Sequence, residues 1–290
     1  IGPRAIAIGA SLAAGLSSLV LAAADNLLLF ALASAVRGSA TSMLLLASLA
    51  EVRLRIPAET RGRALASAGG AIRIGGLIGP AIGGVLAENR GMPSVFVMQA
   101  VLAALAAISI LVDRGYTRGP LPESENADGT RARLLPAMQG RWRATLLIAT
   151  GIGMLQLIRL GRSVFVPLAG EAAGMTISQI GFVLSVSGLI ELLLVPIAGT
   201  MMDRSGRRTA GMLCLGLMIL GLGLLSGAGT PLVVAAAVIL IGIGNGFGAG
   251  ITMTVGSDLA PNAVVGQFLG VWRVYADGFE QGGHPEVSDL

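Results

Sequence analysis

Apolar stretches of about 20 residues recur along this chain, and each is long enough to cross the ~30 Å hydrocarbon core of a bilayer as a helix rising about 1.5 Å per residue. They occupy 5–24, 27–50, 64–86, 94–112, 144–168, 180–202, 209–226 and 231–255, and a ninth begins near Gln267. Asp25 and Asn26 divide the first two, Gly91 to Pro93 the third and fourth, and Gly227 to Pro231 the seventh and eighth, all as tight hairpin turns. Charged residues are 12% of the 290-residue chain and hydrophobic residues 54%, where soluble domains carry about 25% charge. The expected fold class is therefore an all-α polytopic membrane protein with eight spans and a partial ninth.

The same composition removes several function classes. All basic residues are arginine, so the lysine that a P-loop needs to reach nucleotide phosphates is missing and no nucleotide partner is expected. The arginines are scattered between apolar spans and are not gathered with aromatics on one polar face, which argues against nucleic acid. Cys214 is the only cysteine and His284 the only histidine, so neither a disulfide within the chain nor a metal site is expected. There is no Gly-x-Ser-x-Gly elbow or histidine pair, and no enzyme activity or cofactor is expected. The run from Gly242 to Gly250, glycine at every second residue, has no preceding strand and lies within a span, so it reads as helix packing and not as a dinucleotide loop.

Charge sets the orientation. If Arg4 is cytoplasmic, that side also holds Arg53, Arg55, Arg61 and Arg63, six arginines between 114 and 143, then Arg204, Arg207 and Arg208, whereas the opposite side holds only Arg90. Loops 51–63 and 203–208 and the segment 113–143 are accordingly expected in the cytoplasm, with the protein in the cell (plasma or inner) membrane. Pro120, Pro122, Glu123, Glu125 and Asp128 make 113–143 too polar to bury itself, so it reads as a flexible linker. It separates four spans in 1–112 from four and a truncated ninth in 144–290. An offset of 204 residues aligns Pro57 with Pro261, Gly62 with Gly266 and Leu65 with Leu269, a weak internal repeat.

The segment Gly199-Thr-Met-Met-Asp203-Arg204-Ser-Gly206-Arg207-Arg208 resembles the signature loop of the major facilitator superfamily. Its glycines permit a tight turn, Asp203 can cap the next helix or pair with arginine, and the arginines anchor one face. The segment Gly75-Gly76-Leu-Ile-Gly79-Pro80-Ala-Ile-Gly83-Gly84 looks like the glycine-proline motif in the fifth helix of the family's antiporters. Gly75, Gly79 and Gly83 form a smooth stripe and Pro80 permits a bend, from which a close, rocking helix contact is expected. Ordinary small-residue packing is the competing reading, because Gly242, Gly246 and Gly250 make a similar stripe without the proline. The resemblance implies a two-bundle helical fold, incomplete here, with the chain a fragment covering about the third to tenth or eleventh helices. It implies a drug- or metabolite-efflux transporter. Ser34 stands where the family's fourth-helix motif usually has arginine, and Arg37 where it often has glutamine, so Arg37 is expected to do related work from a neighbouring turn.

Arg37, Arg73, Arg159, Arg162 and Glu191 lie within apolar spans, where ionised side chains cost roughly 2.5 to 3.5 kcal/mol and normally face a cavity. Gln156, Arg159 and Ser163 share one helix face, and Glu191 falls near the middle of the next, antiparallel span. Arg162 is close enough to the outer interface to snorkel, whereas Arg37, Arg73 and Glu191 lie deeper. The substrate and coupling candidates are Arg37, Arg73, Gln156, Arg159 and Glu191. The excess of arginine favours an anionic substrate or acidic partners on helices outside the chain.

These readings converge on secondary active transport of a small molecule by alternating access, as proton-coupled efflux with membrane lipid as surroundings. The rivals are a non-transporting sensor or receptor that keeps the fold, and an importer of sugar or organic anion. The chain begins at Ile1 without a signal peptide and becomes polar after Tyr275, so its true N-terminus and the rest of its ninth span are expected to lie outside it. Orientation is directly measurable: with Ser124→Cys and Gly229→Cys introduced singly into the full-length protein, a membrane-impermeant maleimide is expected to label them from opposite faces. Labelling from the same face would break the assignment.

Overall fold

The computed structural model describes residues 3–56, 58–113 and 142–260, together with 268, 271 and 272. Among these residues the secondary structure is helical: α1 (Pro3–Ala22), α2 (Leu27–Arg55), α3 (Ala58–Arg90), α4 (Met92–Val112), α5 (Trp142–Ala172), α6 (Ile177–Ser226), α7 (Pro231–Phe247) and α8 (Ile251–Leu259). The chain divides into two compact units, Ile1–Ala127 and Asp128–Leu290. Among the described residues six helices are long and apolar enough to cross a membrane, and α7 is a shorter apolar helix. Leucines such as Leu28, Leu147 and Leu232 are 71%, 75% and 80% exposed. In water such outward leucines would drive aggregation, whereas lipid tails are as apolar as they are. The chain is a multi-pass membrane protein.

The expected eight spans differ in two places. The sixth and seventh are the two halves of α6, whose 50 residues are divided by Gly206 at φ 85° and ψ 160°. As one straight helix rising about 1.5 Å per residue they would reach some 75 Å, more than twice the hydrocarbon thickness. Both halves of α6 pack on α7, which requires the chain to turn back at Gly206. The eighth expected span, 231–255, is not continuous either. α7 ends at Phe247, and α8 starts at Ile251 after Gly250 enters the left-handed region at φ 79°. Of the ninth, Gln267 lies outside the described residues, while Phe268 and Trp272 are placed, stacked at 5.9 Å, with Trp272 Nε1 donating to the Thr252 carbonyl at 2.8 Å.

Helices also run past their apolar stretches. The 51–63 segment, expected as a loop, is helical through Arg55 and again from Ala58, with Ile56 extended after the end of α2. Outside hydrocarbon a helix no longer needs apolar residues, and Glu51 and Arg55, one turn apart at 3.6 Å, support the end of α2. The 203–208 segment is likewise helical on either side of Gly206. The 114–141 part of the expected linker and the repeat partners Pro57, Pro261, Gly266 and Leu269 lie outside the described residues.

In the first unit α1 packs against α2 and α4, with α3 lying more loosely beside α4. Asn26 starts α2 by accepting the Leu29 amide at 2.8 Å. Gly91 at φ 81° and Pro93 start α4. Arg4 donates to the Leu111 carbonyl at 2.8 Å and Arg55 meets Asp113 at 2.7 Å, so the start of α1 and the end of α2 gather at the C-terminus of α4. Cations there complement the negative end of the helix dipole.

The second unit is organised by α7. Residues two apart on a helix point about 200° apart, so glycine at every second position smooths two opposite faces at once. A Cβ on Gly246 would stand 2.9 Å from Leu194 Cβ and 3.2 Å from Glu191 Cα, and one on Gly242 would overlap Ser187. On the other face, a Cβ on Gly244 would stand 3.0 Å from the Cys214 carbonyl oxygen. The first half of α6 thus lies against one face of α7 and the second half against the other. Around them Met218, Val234, Val238 and Ile241 form a buried core with Leu155, Val166 and Ile180. The Gly250 expected to extend this stripe has open space and serves the break instead. Gly244→Ala is expected to lower the melting temperature of the full-length protein, because a backbone oxygen 3.0 Å away cannot swing aside. The overpacking cost of about 1–3 kcal/mol exceeds the ~1 kcal/mol that alanine gains in helix propensity. Gly223→Ala, with nothing within 4 Å, is expected to be neutral or stabilising. Equal melting temperatures for the two variants would contradict the close approach.

Candidate functional site

The polar groups expected inside the spans come together most closely in the second unit. The hairpin that brings α5 and α6 side by side is built locally. Gly174 at φ 78° ends α5, the Met175 amide donates to the Gly170 carbonyl at 2.9 Å, and Thr176 and Gln179 cap each other reciprocally at the start of α6. With the two helices antiparallel, Arg162 on α5 faces Glu191 on α6. Arg162 Nη1 lies 3.2 Å from Glu191 Oε2 and Nη2 donates to Ser187 Oγ at 3.1 Å. Ser187 in turn donates to the Val238 carbonyl of α7 at 2.9 Å, so one chain of bonds links three helices. The expected snorkelling of Arg162 gives way to this pairing, because a carboxylate on the neighbouring helix offers a charge-assisted bond within reach. The two side chains are 16% and 31% exposed.

One turn earlier on the same helix, Arg159 is held by neutral acceptors. Its Nε donates to Asn245 Oδ1 at 2.6 Å, Nη1 to Gln156 Oε1 at 2.8 Å and Nη2 to the Gly248 carbonyl at 3.1 Å. Gly248 follows the last residue of α7, so the guanidinium sits at the negative end of that helix dipole and is a second donor, beside the Ile251 amide, to the Gly248 carbonyl. Arg159 lies 14 residues into the span that starts at Thr145, about 21 Å along a helix rising 1.5 Å per residue. Ser163, expected on this face, is exposed and donates to the Leu160 carbonyl of its own helix. Asn245, Ser187 and Gly248 were not singled out from sequence. The signal for Asn245 was present, an amide in the middle of an apolar span, but it was masked by the glycines around it.

The first unit separates its two candidates. Arg37 on α2 donates to Gln99 on α4 at 3.2 Å, while its Nε is buried without an acceptor among the described residues. Arg73 is exposed on α3 and has no partner among the described residues. Gly75 and Gly79 have nothing within 4 Å, Gly83 has only Val95 Cγ1 at 3.8 Å, Gly84 is buried, and Pro80 lies inside α3. The close helix contact expected of that stripe is therefore not made within this unit, and the close approach falls on α7. In the 199–208 segment, Gly199 is half-buried, Gly206 makes the turn, and Asp203, Arg204 and Arg208 are exposed. Asp203 neither caps nor pairs among the described residues. The pairing goes to Arg207, whose Nε lies 2.8 Å from Asp258 at the end of α8.

The Arg162–Glu191 pair allows a stability test. In lipid the unpaired member of such a couple is more costly than an apolar replacement of both. Arg162→Leu and Glu191→Leu are each expected to destabilise the full-length protein more than the double substitution does. The coupling expected from a double-mutant cycle by thermal unfolding is about 1–2 kcal/mol. Additive effects would mean that the pair is not made in the membrane.

Comparison with known proteins adds the wider frame. A segment of 65 residues is 34% identical to the riboflavin transporter RibZ of Clostridioides difficile (strain 630), covering 22% of this chain and 14% of that protein. Two solved structures share the fold at 17% identity. One is a D-xylose-proton symporter, with a TM-score of 0.62 over 96% of this chain and 70% of that one. The other is a peptide transporter POT in complex with alafosfalin, with a TM-score of 0.67 over 97% and 72%. The chain thus matches only a small part of the curated relative and somewhat over two thirds of each solved chain. The family model of the Major Facilitator Superfamily matches residues 1–277, nearly the whole chain. With six helices of membrane-spanning length among the described residues, the chain belongs to the Major Facilitator Superfamily.

Proposed function

We propose that this chain forms part of a secondary active transporter that moves a small molecule across the cell membrane by alternating access, coupled to protons and in the direction of efflux. The parts 1–112 and 144–290 act as pieces of two helical bundles that rock about a central site, with 113–143 as a cytoplasmic linker. The observation that carries this reading is the Arg162–Glu191 pair inside the spans, linked through Ser187 to the Val238 carbonyl of a third helix, in a chain of this superfamily. Ionisable residues inside spans are costly and are kept where ions or substrates pass. A carboxylate held by an arginine can exchange that partner for a proton, which leaves the arginine free to change its contacts. The kinship in fold to a D-xylose-proton symporter supports proton coupling. The glycine-proline motif at Gly75, Gly79, Pro80, Gly83 and Gly84 supports the outward direction through its resemblance to antiporters. The arginine excess of 51–63, 113–143 and 203–208 supports a cytoplasmic location for those segments.

The test is flux of a labelled panel, including riboflavin, xylose and a dipeptide, in vesicles carrying the full-length protein with and without an imposed pH gradient. Glu191→Gln, which mimics a permanently protonated carboxyl, is expected to cut gradient-driven flux about tenfold or more while sparing exchange without a gradient. Gradient-driven flux at the wild-type rate in Glu191→Gln would remove Glu191 from coupling. Ligand binding without flux for any compound would favour the sensor reading.

A further inference from the structure

Two arginines one turn apart on α5 have different electrostatic surroundings. Arg162 is neutralised by Glu191 at 3.2 Å. Arg159 is not: its three acceptors, Asn245, Gln156 and the Gly248 carbonyl, are all neutral, and no carboxylate among the described residues contacts it. The cluster therefore holds two guanidiniums and one carboxylate, an excess of one positive charge. The α7 dipole offsets at most about half a charge at its C-terminal end. Burial in protein and lipid leaves the remainder poorly screened.

Geometry as well as charge points to a ligand. A guanidinium has five N–H donors in one plane, and three are engaged here, each by a different residue. Those three bonds fix the plane of the group and leave one N–H on each of Nη1 and Nη2 unused. Two donors on a fixed plane, carrying a net positive charge, match the two oxygens of a carboxylate or phosphate. Resting on the reading of the chain as a transporter, we propose that Arg159 is the anion-recognition residue of the site, so that the solute carried is a small molecule bound through a carboxylate or phosphate. Asn245 and Gln156 orient the guanidinium, and Arg162 stays committed to Glu191.

The test uses the full-length protein in lipid nanodiscs with benzoate, its neutral analogue benzamide, and inorganic phosphate as probes at matched ionic strength. Benzoate or phosphate, up to about 10 mM, is expected to raise the melting temperature, and benzamide is not. Arg159→Gln is expected to weaken anion binding about ten- to a hundred-fold, and Arg159→Lys less, because it keeps the charge but loses the planar fork. A second measurement needs no variant: phenylglyoxal modification of the wild-type protein, mapped by mass spectrometry, is expected to show Arg159 protected by the anions and not by benzamide. The proposal is overturned if neither anion binds, if binding survives undiminished in Arg159→Gln, or if the anions leave Arg159 modification unchanged. Flux confined to neutral or cationic solutes and unaffected by Arg159→Gln would overturn it while leaving transport intact. Anion binding at Arg159 without flux would uphold it and sink the transport reading.

Discussion

Hydrocarbon supplies no hydrogen bonds, so each polar group that enters it must bring or find a partner within the protein. Much of the described interior follows that constraint, with Arg37 Nε among the exceptions. Ser11 and Ser18 donate to carbonyls one turn back on their own helix, which costs nothing in packing. Arg37 reaches across to Gln99. The larger groups require helices to be placed around them: Arg162 draws α5, α6 and α7 together through Glu191, Ser187 and the Val238 carbonyl. At the broken end of α7 the Gly248 carbonyl accepts the Ile251 amide at 3.2 Å, and Arg159 adds a second donor to it at 3.1 Å.

Because lipid is as apolar as leucine, helices in a membrane gain little from burying apolar surface and depend on close contact. The two units differ in how far they achieve it. In the first, Gly15 of α1 lets Ala103 of α4 approach, while the glycines of α3 remain open. In the second, Gly242, Gly244 and Gly246 of α7 admit Ser187 and Leu194 on one side and Cys214 and Met218 on the other.

The sequence was most legible where bilayer thickness alone decides. The apolar runs at 5–24, 27–50 and 94–112 lie close to α1, α2 and α4, because a helix that crosses hydrocarbon has little freedom in length. It was least legible where a helix leaves hydrocarbon or is interrupted. Hydropathy does not mark the helical extensions at 51–55 and 58–63, and the Gly248–Gly250 break lies in a run as apolar as its flanks. Within the site, spacing put Gln156 and Arg159 on one face, and they are bonded at 2.8 Å. The same spacing favoured Ser163 over Arg162, since periodicity along one helix carries no information on which neighbour carries the carboxylate. Pairings such as Arg207 with Asp258, 51 residues apart, depend on the turn at Gly206, which only the fold reveals.

The alternation of glycine along α7 also limits how that helix can move. Ile241, Ile243, Asn245 and Phe247 interleave with the glycines, so turning α7 about its own axis would drive a bulky side chain into a surface that accepts only a bare backbone. Displacement along the axis meets a shallower obstacle, because each smooth face repeats every four residues, about 6 Å. α7 is thereby shaped as a slide between two rails and not as a roller.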